Sequence, residues 1–348
     1  MAGPSLLSAP LAVSMGDAAG IGPDVTLKAW AESAATLPPF YVLGDPELMA
    51  RRARHMGLAV PIAVVVPEEA VSVFRTALPV FDLQRSVAGV PGRGSAADAS
   101  AVIASIEAAV ADVRARRARA VVTNPISKDT LYQAGFRYPG HTEFLGELAK
   151  AWGPGPFSGA YRPVMMLAGP NLRTVPVTVH IALNQVVPRL TTELIVTTSR
   201  IVAADLAARL GIARPRLAIA GLNPHAGENG AMGREDIDIV QPAVAALTAE
   251  GIDAFGPLPS DTLFSAQARA GYDAAICMYH DQALIPVKTI AFDETVNVTL
   301  GLPFVRTSPD HGTAFDIAGS GLARPQSFVA ALKMADRMTT ATASLEAV

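Results

Sequence analysis

LAVSMGDAAGIGPD, residues 11 to 24, decides the fold class. Leu11 to Met15 is a short apolar run that reads as a buried strand. GDAAGIGPD (Gly16 to Asp24) follows directly, and Pro23 stands where a helix begins, because a first turn does not need its amide. A strand, a glycine-rich turn and a helix in succession start a βα unit. Closely spaced glycines let backbone N–H groups approach an anion at the helix N-terminus, and a tight βα turn explains the same residues equally well. The spacing is not GxGxxG. Only Asp45, after YVLG, stands about where a Rossmann fold places its ribose-binding acid. The stretch predicts an α/β protein.

The same alternation continues outward. Phe40 to Leu43, Ile62 to Val66, Ala120 to Thr123, Val164 to Ala168, Thr174 to Val179, Arg216 to Gly221, Ala274 to Tyr279 and Val296 to Thr299 read as further strands. Ala99 to Arg116, Thr192 to Leu210 and Gln326 to Leu345 read as helices. Strands alternating with helices predict a mostly parallel sheet. At 348 residues the chain is long enough for one large domain or two. No Pro/Gly/Ser linker marks a boundary, so residues 11–348 are expected to form one two-lobed unit, the chain crossing between lobes and ligands binding in the cleft. Residues 1–10 are expected to be a loose tail.

Half the residues are hydrophobic, enough for a sizeable core, and the formal net charge is only −3. That balance argues against a nucleic-acid protein, which would carry a basic stripe. No run of about eighteen apolar residues predicts a membrane span, and MAGPSLLSAP lacks the basic start of a signal peptide. The single cysteine, Cys277, cannot form an internal disulfide and sits in the apolar run AAICMY. It reads as a small buried hydrophobe in a reducing cytoplasm.

Chemistry concentrates in polar strings. His180 (TVHIAL), His225 (LNPHAGENG) and His280 (MYHDQ) each lie in a polar, turn-rich context far from the others in sequence. Three neutral imidazoles with one open position make a catalytic divalent-metal site, so a folded domain that gathers them would hold a metal. Asp281 could orient a ligand imidazole from behind, and Lys288 follows on the same segment. NPHAGENG sets Asn223, His225 and Glu228 in a loop after a strand, where α/β active sites sit. In TNPISK, Ser127 can cap a helix and Lys128 can reach a phosphate. In YPGHTEFLGELAK, His141 reads as a loop tip and Thr142 as the residue ahead of a helix. Val296 to Gly319 carries Asn297, then Arg306 in a loop, able to grip a carboxylate or phosphate, then His311, Gly312 and Thr313. There is no nucleophile elbow, no Walker loop and no CxxC pair.

In their order, GDAAGIGPD, NPISK, GHTEF, HIAL, NPHAGE, GPLPSDTLF, YDAAICMYHDQ and LGLPFVRTSPDHGTAFDIAG resemble the 4-hydroxythreonine-4-phosphate dehydrogenase family of vitamin B6 biosynthesis, over about residues 11 to 345. The first and last strings are also similar to those of isocitrate and isopropylmalate dehydrogenases, which bind NAD without a Rossmann fold. The resemblance implies that fold, a metal on His180, His225 and His280, and substrate contacts from His141, Thr142, Lys288, Asn297 and Arg306. It implies a dinucleotide near His311, Gly312 and Thr313, and a homodimer whose active site draws on both subunits. Two positions depart from the family pattern: Ala18 stands for the usual proline of GDPAGIG and Ala182 for that of HIPL, and neither removes a ligand or an ionic contact.

The implied reaction is oxidation of the secondary hydroxyl of 4-phosphooxy-L-threonine by NAD or NADP, assisted by zinc, magnesium or cobalt. Three imidazoles favour zinc. The keto acid then loses CO₂ to give 3-amino-2-oxopropyl phosphate, on the route to pyridoxal 5'-phosphate. Asp281 or Lys288 would relay the proton. The same chemistry on a four-carbon phosphosugar acid or an aromatic cis-dihydrodiol is an alternative. A metal-dependent hydrolase and a non-catalytic phospholigand-binding protein are rivals of other classes.

Overall fold

The computed structural model describes residues 8–156 and 159–346. Most of the expected tail, residues 1–7, lies outside them. The chain divides into two compact units, residues 1–163 with 302–347, and residues 164–301.

The first unit contains β1 (Leu11–Ser14), β2 (Phe40–Gly44), β3 (Ile62–Val64), β4 (Leu78–Asp82) and β5 (Val121–Thr123). The second contains β6 (Val164–Ala168), β7 (Arg173–Pro176), β8 (Leu217–Ala220), β9 (Ala254–Leu258), β10 (Ala274–Cys277) and β11 (Val296–Leu300). The chain then returns to the first unit with β12 (Arg306–Pro309).

In the first unit the strands run in the order β3-β4-β2-β1-β5-β12, and every neighbouring pair is parallel. Parallel strands covered on both faces read as unbroken apolar runs; LAV of β1 and FYVL of β2 are fully enclosed. Ala12, Tyr41, Val121, Ile106 and Leu145 form the core beneath the helices Ala99–Arg114 and His141–Ala149. In the second unit the order is β11-β6-β7-β10-β8-β9. β6 runs antiparallel to both neighbours, and β7, β10, β8 and β9 are parallel. Within the second unit, therefore, β6 is the strand that breaks the parallel order. Leu167, Ala218, Ala275, Cys277 and Val287 form the second core, where Cys277 is fully buried as expected.

Three strands escaped the sequence reading. β4 and β9 each contain a proline, which argues against a central strand. β12 is the third. Arg306, expected in a loop, is instead a buried residue of a strand paired with β5. Its RTSP sequence has no apolar residue to announce it, and its polar groups are enclosed because partners await them: Thr307 Oγ1 donates to the Ala331 carbonyl at 2.9 Å.

Candidate functional site

In an α/β sheet, the loops leaving the C-terminal ends of parallel strands form the ligand face. In the second unit these loops carry His180 after β7, His280 after β10, His225 after β8 and Ser260 after β9. The pairing of β7 with β10 continues past both strands. Val177 N donates to the Cys277 carbonyl (2.7 Å), and Thr178 donates to the Met278 carbonyl from N (3.3 Å) and Oγ1 (2.7 Å). This fixed register brings the rings of His180 and His280 to 5.5 Å between centroids, tilted by 43°. His280 opens the helix His280–Ala291, and its Nδ1 lies 2.7 Å from Asp281 Oδ1. A carboxylate there favours the tautomer with its proton on Nδ1, leaving Nε2 as the electron-pair donor.

Gln282, which sequence reading passed over, holds this edge together. Its Oε1 accepts from Met278 N (2.6 Å), and its Nε2 donates to the Gly221 carbonyl and Ser260 Oγ (both 2.7 Å). The fifth position of MYHDQ is thus a brace across three strand ends.

His225 reaches the same edge differently. Residues 225 to 230 all have positive φ, from 41° at Glu228 to 93° at Gly230. They form a left-handed turn, which costs each non-glycine residue roughly 1–2 kcal/mol. The turn presents His225 and Glu228 to solvent, with Nδ1 and Oε2 3.4 Å apart. Asn223 donates from Nδ2 to Glu235 Oε2 at 2.7 Å.

In the first unit, β1, β5 and β12 are adjacent, so their exit loops meet. Four amides of the glycine-rich turn are bonded within the fold. Asp17 N donates to the Pro125 carbonyl, Ala19 N to Asp17 Oδ1, Gly20 N to the Asp17 carbonyl and Ile21 N to the Thr313 carbonyl. The tight turn read from GDAAGIGPD is present. Its glycines serve close packing: a Cβ on Gly16 would lie 2.6 Å from that of Asn124, and one on Gly20 would lie 3.0 Å from that of Thr313. Asp45 is equally structural, capping the helix Pro46–His55 through Glu47 N at 2.9 Å.

A buried ion pair locks this region. Arg52 pairs with Asp24 and also donates to the carbonyls of Gly20 and Ala18 (both 2.9 Å) and Gly89 (3.3 Å). Asp24 Oδ2 accepts from Gly319 N at 2.6 Å. Asp24 thus ties GDAAGIGPD to the HGTAFDIAG segment, and Arg52 ties it to Gly89. Nothing in RRAR distinguishes Arg52 from its neighbours by sequence.

The first unit also holds a basic group. Arg306 donates from Nη2 and Nε to Thr123 Oγ1 (2.6 and 3.2 Å), and burial lowers its guanidinium to about 10. Ser127 caps the short helix Lys128–Gln133 as expected, accepting from Thr130 N at 3.3 Å. His141, expected at a loop tip, is the first residue of the helix His141–Ala149, with Gly140 at the cap and Thr142 in the first turn. Part of His141 meets solvent, but its Nε2 is enclosed without a protein partner. Burial, then the charges of Arg306 and Lys128, hold its pKa well below the usual imidazole value. A neutral imidazole between two cations suits an anionic ligand. His311 Nδ1 lies 3.1 Å from the Gly312 carbonyl.

Other expected residues are dispersed. Lys288 sits over the Phe292 ring, 5.5 Å from its centroid. Seven residues of helix, about 10 Å of axis, separate it from Asp281. Asn297 lies on β11 with its Oδ1 buried and unpartnered. Among the described residues of a single chain, no three His, Cys, Asp or Glu side chains gather closely enough to hold a metal ion. His180 and His280, with Asp281 behind, supply two of the imidazoles such an ion needs, so the donor chemistry fits.

A family model described as pyridoxal phosphate biosynthetic protein PdxA matches residues 35–335. The chain belongs to the PdxA family. A relative from Bradyrhizobium diazoefficiens, a 4-hydroxythreonine-4-phosphate dehydrogenase, is 56% identical over 341 residues, 95% of this chain and 97% of its own. The crystal structure of the Klebsiella pneumoniae 4-hydroxythreonine-4-phosphate dehydrogenase superposes with a TM-score of 0.84 at 37% identity, covering 95% of this chain and 98% of that one. A terephthalate 1,2-cis-dihydrodiol dehydrogenase from Burkholderia xenovorans gives 0.62 at 30% identity, covering 94% and 98%. The matched residues include His141, His180, His225, His280, Arg306 and His311, and the GDAAGIGPD turn precedes them.

Proposed function

We propose that this chain oxidises the secondary hydroxyl of 4-phosphooxy-L-threonine with NAD or NADP, giving 2-amino-3-oxo-4-phosphooxybutanoate, which decarboxylates to 3-amino-2-oxopropyl phosphate. The observation that carries the reading is the His180–His280 pair, backed by Asp281, in a chain 56% identical to a dehydrogenase of that name. When bound, a divalent ion would lower the pKa of the substrate hydroxyl, and the nicotinamide would accept the hydride.

Zinc suits the imidazole set best, with magnesium or cobalt as substitutes. His180, His225 and His280 would hold the ion. The outward presentation of His225 favours its supply by a second copy, in a homodimer whose sites draw on both subunits. Asp281 fixes the His280 tautomer and, with Lys288, is a candidate for moving the hydroxyl proton. Arg306, His141 and Thr142 bind the anionic ends of the substrate, with Lys288 and Asn297 as further contacts, and so orient the reacting carbon. His311, Gly312 and Thr313 face the dinucleotide. The basic group around His141 favours a phosphorylated substrate over an aromatic dihydrodiol. A reducing cytoplasm suits the buried lone thiol of Cys277, and no described helix is long and apolar enough to cross a membrane.

The test compares kcat/KM for 4-phosphooxy-L-threonine, phosphorylated erythronate and threonate, and an aromatic cis-dihydrodiol, with each dinucleotide. The aminated phosphate ester should lead by at least tenfold. A lead for a sugar acid would move the substrate and leave the chemistry.

A further inference from the structure

The left-handed turn of residues 225 to 230 sits on one buried carboxylate. Asp236, fully enclosed, accepts from Leu222 N (2.7 Å) through Oδ1 and from Asn223 N (3.0 Å) through Oδ2. These are the two amides immediately before the turn. The turn itself lies against the same group. A Cβ on Gly227 would stand 3.3 Å from Asp236 Oδ2, and one on Gly221 would stand 3.1 Å from Oδ1. Further on, Met232 N donates to the Gly227 carbonyl (3.1 Å) and Ala231 N to that of Glu228 (3.2 Å). Gly227 alone among residues 225 to 230 is buried. The turn therefore pivots on its contact with Asp236, and His225 projects from the free side.

A run of left-handed residues persists only where its surroundings over-determine it. Released from the carboxylate, the non-glycine residues would relax toward negative φ, and His225 would lose its direction. We propose that Asp236 is the positioning residue of His225: its two hydrogen bonds set the metal affinity of the site by holding the left-handed turn. This rests on the reading of His225 as a metal ligand. The carboxylate touches no ligand and acts only through the backbone.

The experiment measures zinc affinity by competition with a chromophoric chelator. It uses the full chain as wild type, His225→Ala, Asp236→Asn, Asn229→Pro and the double variant of positions 225 and 236. The asparagine turns one acceptor into a donor that opposes an amide. The proline forces exposed residue 229 to negative φ without touching Asp236. His225→Ala should lose zinc affinity. Asp236→Asn should lose about 10- to 100-fold, the usual effect of removing a group that orients a ligand, and Asn229→Pro should lose as much as His225→Ala. The double variant should bind no more weakly than His225→Ala alone, a non-additivity that a merely structural role would not produce. Apo melting temperatures identify any variant that has not folded. If Asp236→Asn fails to fold, Asn229→Pro decides.

Wild-type affinity in Asp236→Asn or in Asn229→Pro, beside a loss in His225→Ala, overturns the inference and leaves the metal site standing. Wild-type affinity in His225→Ala removes the metal reading, and the inference with it.

Discussion

The rings of His180 and His280 face each other at 5.5 Å because Thr178 and Met278 are hydrogen-bonded beyond the ends of β7 and β10. The two imidazoles are placed by backbone register, so each should act as a ligand without rearrangement. Zinc affinity should fall in His180→Ala and in His280→Ala. It should fall about 10- to 100-fold in Asp281→Asn, which keeps the His280 ring but weakens its orientation. Equal zinc binding in wild type and Asp281→Asn, by chelator competition, would count against that carboxylate's role.

The Asp24–Arg52 pair should govern stability. Both groups are buried, and removing one partner leaves the other charged in a dry site. Arg52→Met should therefore destabilise the chain by about 3–5 kcal/mol, seen as a lower urea midpoint. Asp24→Asn should cost a similar amount, since it leaves the Arg52 charge uncompensated and turns an NH2 toward Arg52 or Gly319 N, both donors. A midpoint unchanged in Arg52→Met would show that the ion pair is not what holds the glycine-rich turn.

Arg306 should be felt in substrate binding. Arg306→Met removes a buried charged donor, worth roughly 1.5–3 kcal/mol when it meets an anion. KM for the phosphorylated substrate should rise on the order of 10- to 100-fold, with KM for the dinucleotide little changed. A rise confined to the dinucleotide would place Arg306 in the other subsite.

The lowered pKa of His141 makes stability depend on pH. As pH falls through about 6.5 the unfolded chain protonates this imidazole, while the folded chain does so only at lower pH. The unfolded state thus binds more protons, and stability declines on acidification below about 6.5. His141→Gln, which does not titrate, should lose less melting temperature between about pH 7.5 and 5.5. Parallel losses in both proteins would remove His141 as the cause.

Much of this was legible in the sequence. LAVSMGDAAGIGPD announced a strand, a tight turn and a helix, and the structure has all three. AAICMYHDQ and NPHAGENG marked strand ends, because apolar runs stop there and polar residues begin. Register is not written so locally. That His180 meets His280 follows from the side-by-side pairing of β7 and β10, strands far apart in the chain. β12 was hidden because its polar side chains are enclosed by partners, and burial of that kind leaves no hydrophobic signal. Asp236 was hidden for a related reason: its partners are backbone amides, which every residue has.

The most direct measurement of the central claim is NADH or NADPH formation by chelator-treated protein given 4-phosphooxy-L-threonine, before and after zinc is restored. Absorbance should stay flat without metal, climb on zinc addition in the wild type, and stay flat in His280→Ala. A climb that needs no divalent ion, or one that survives the loss of His280, would contradict the account.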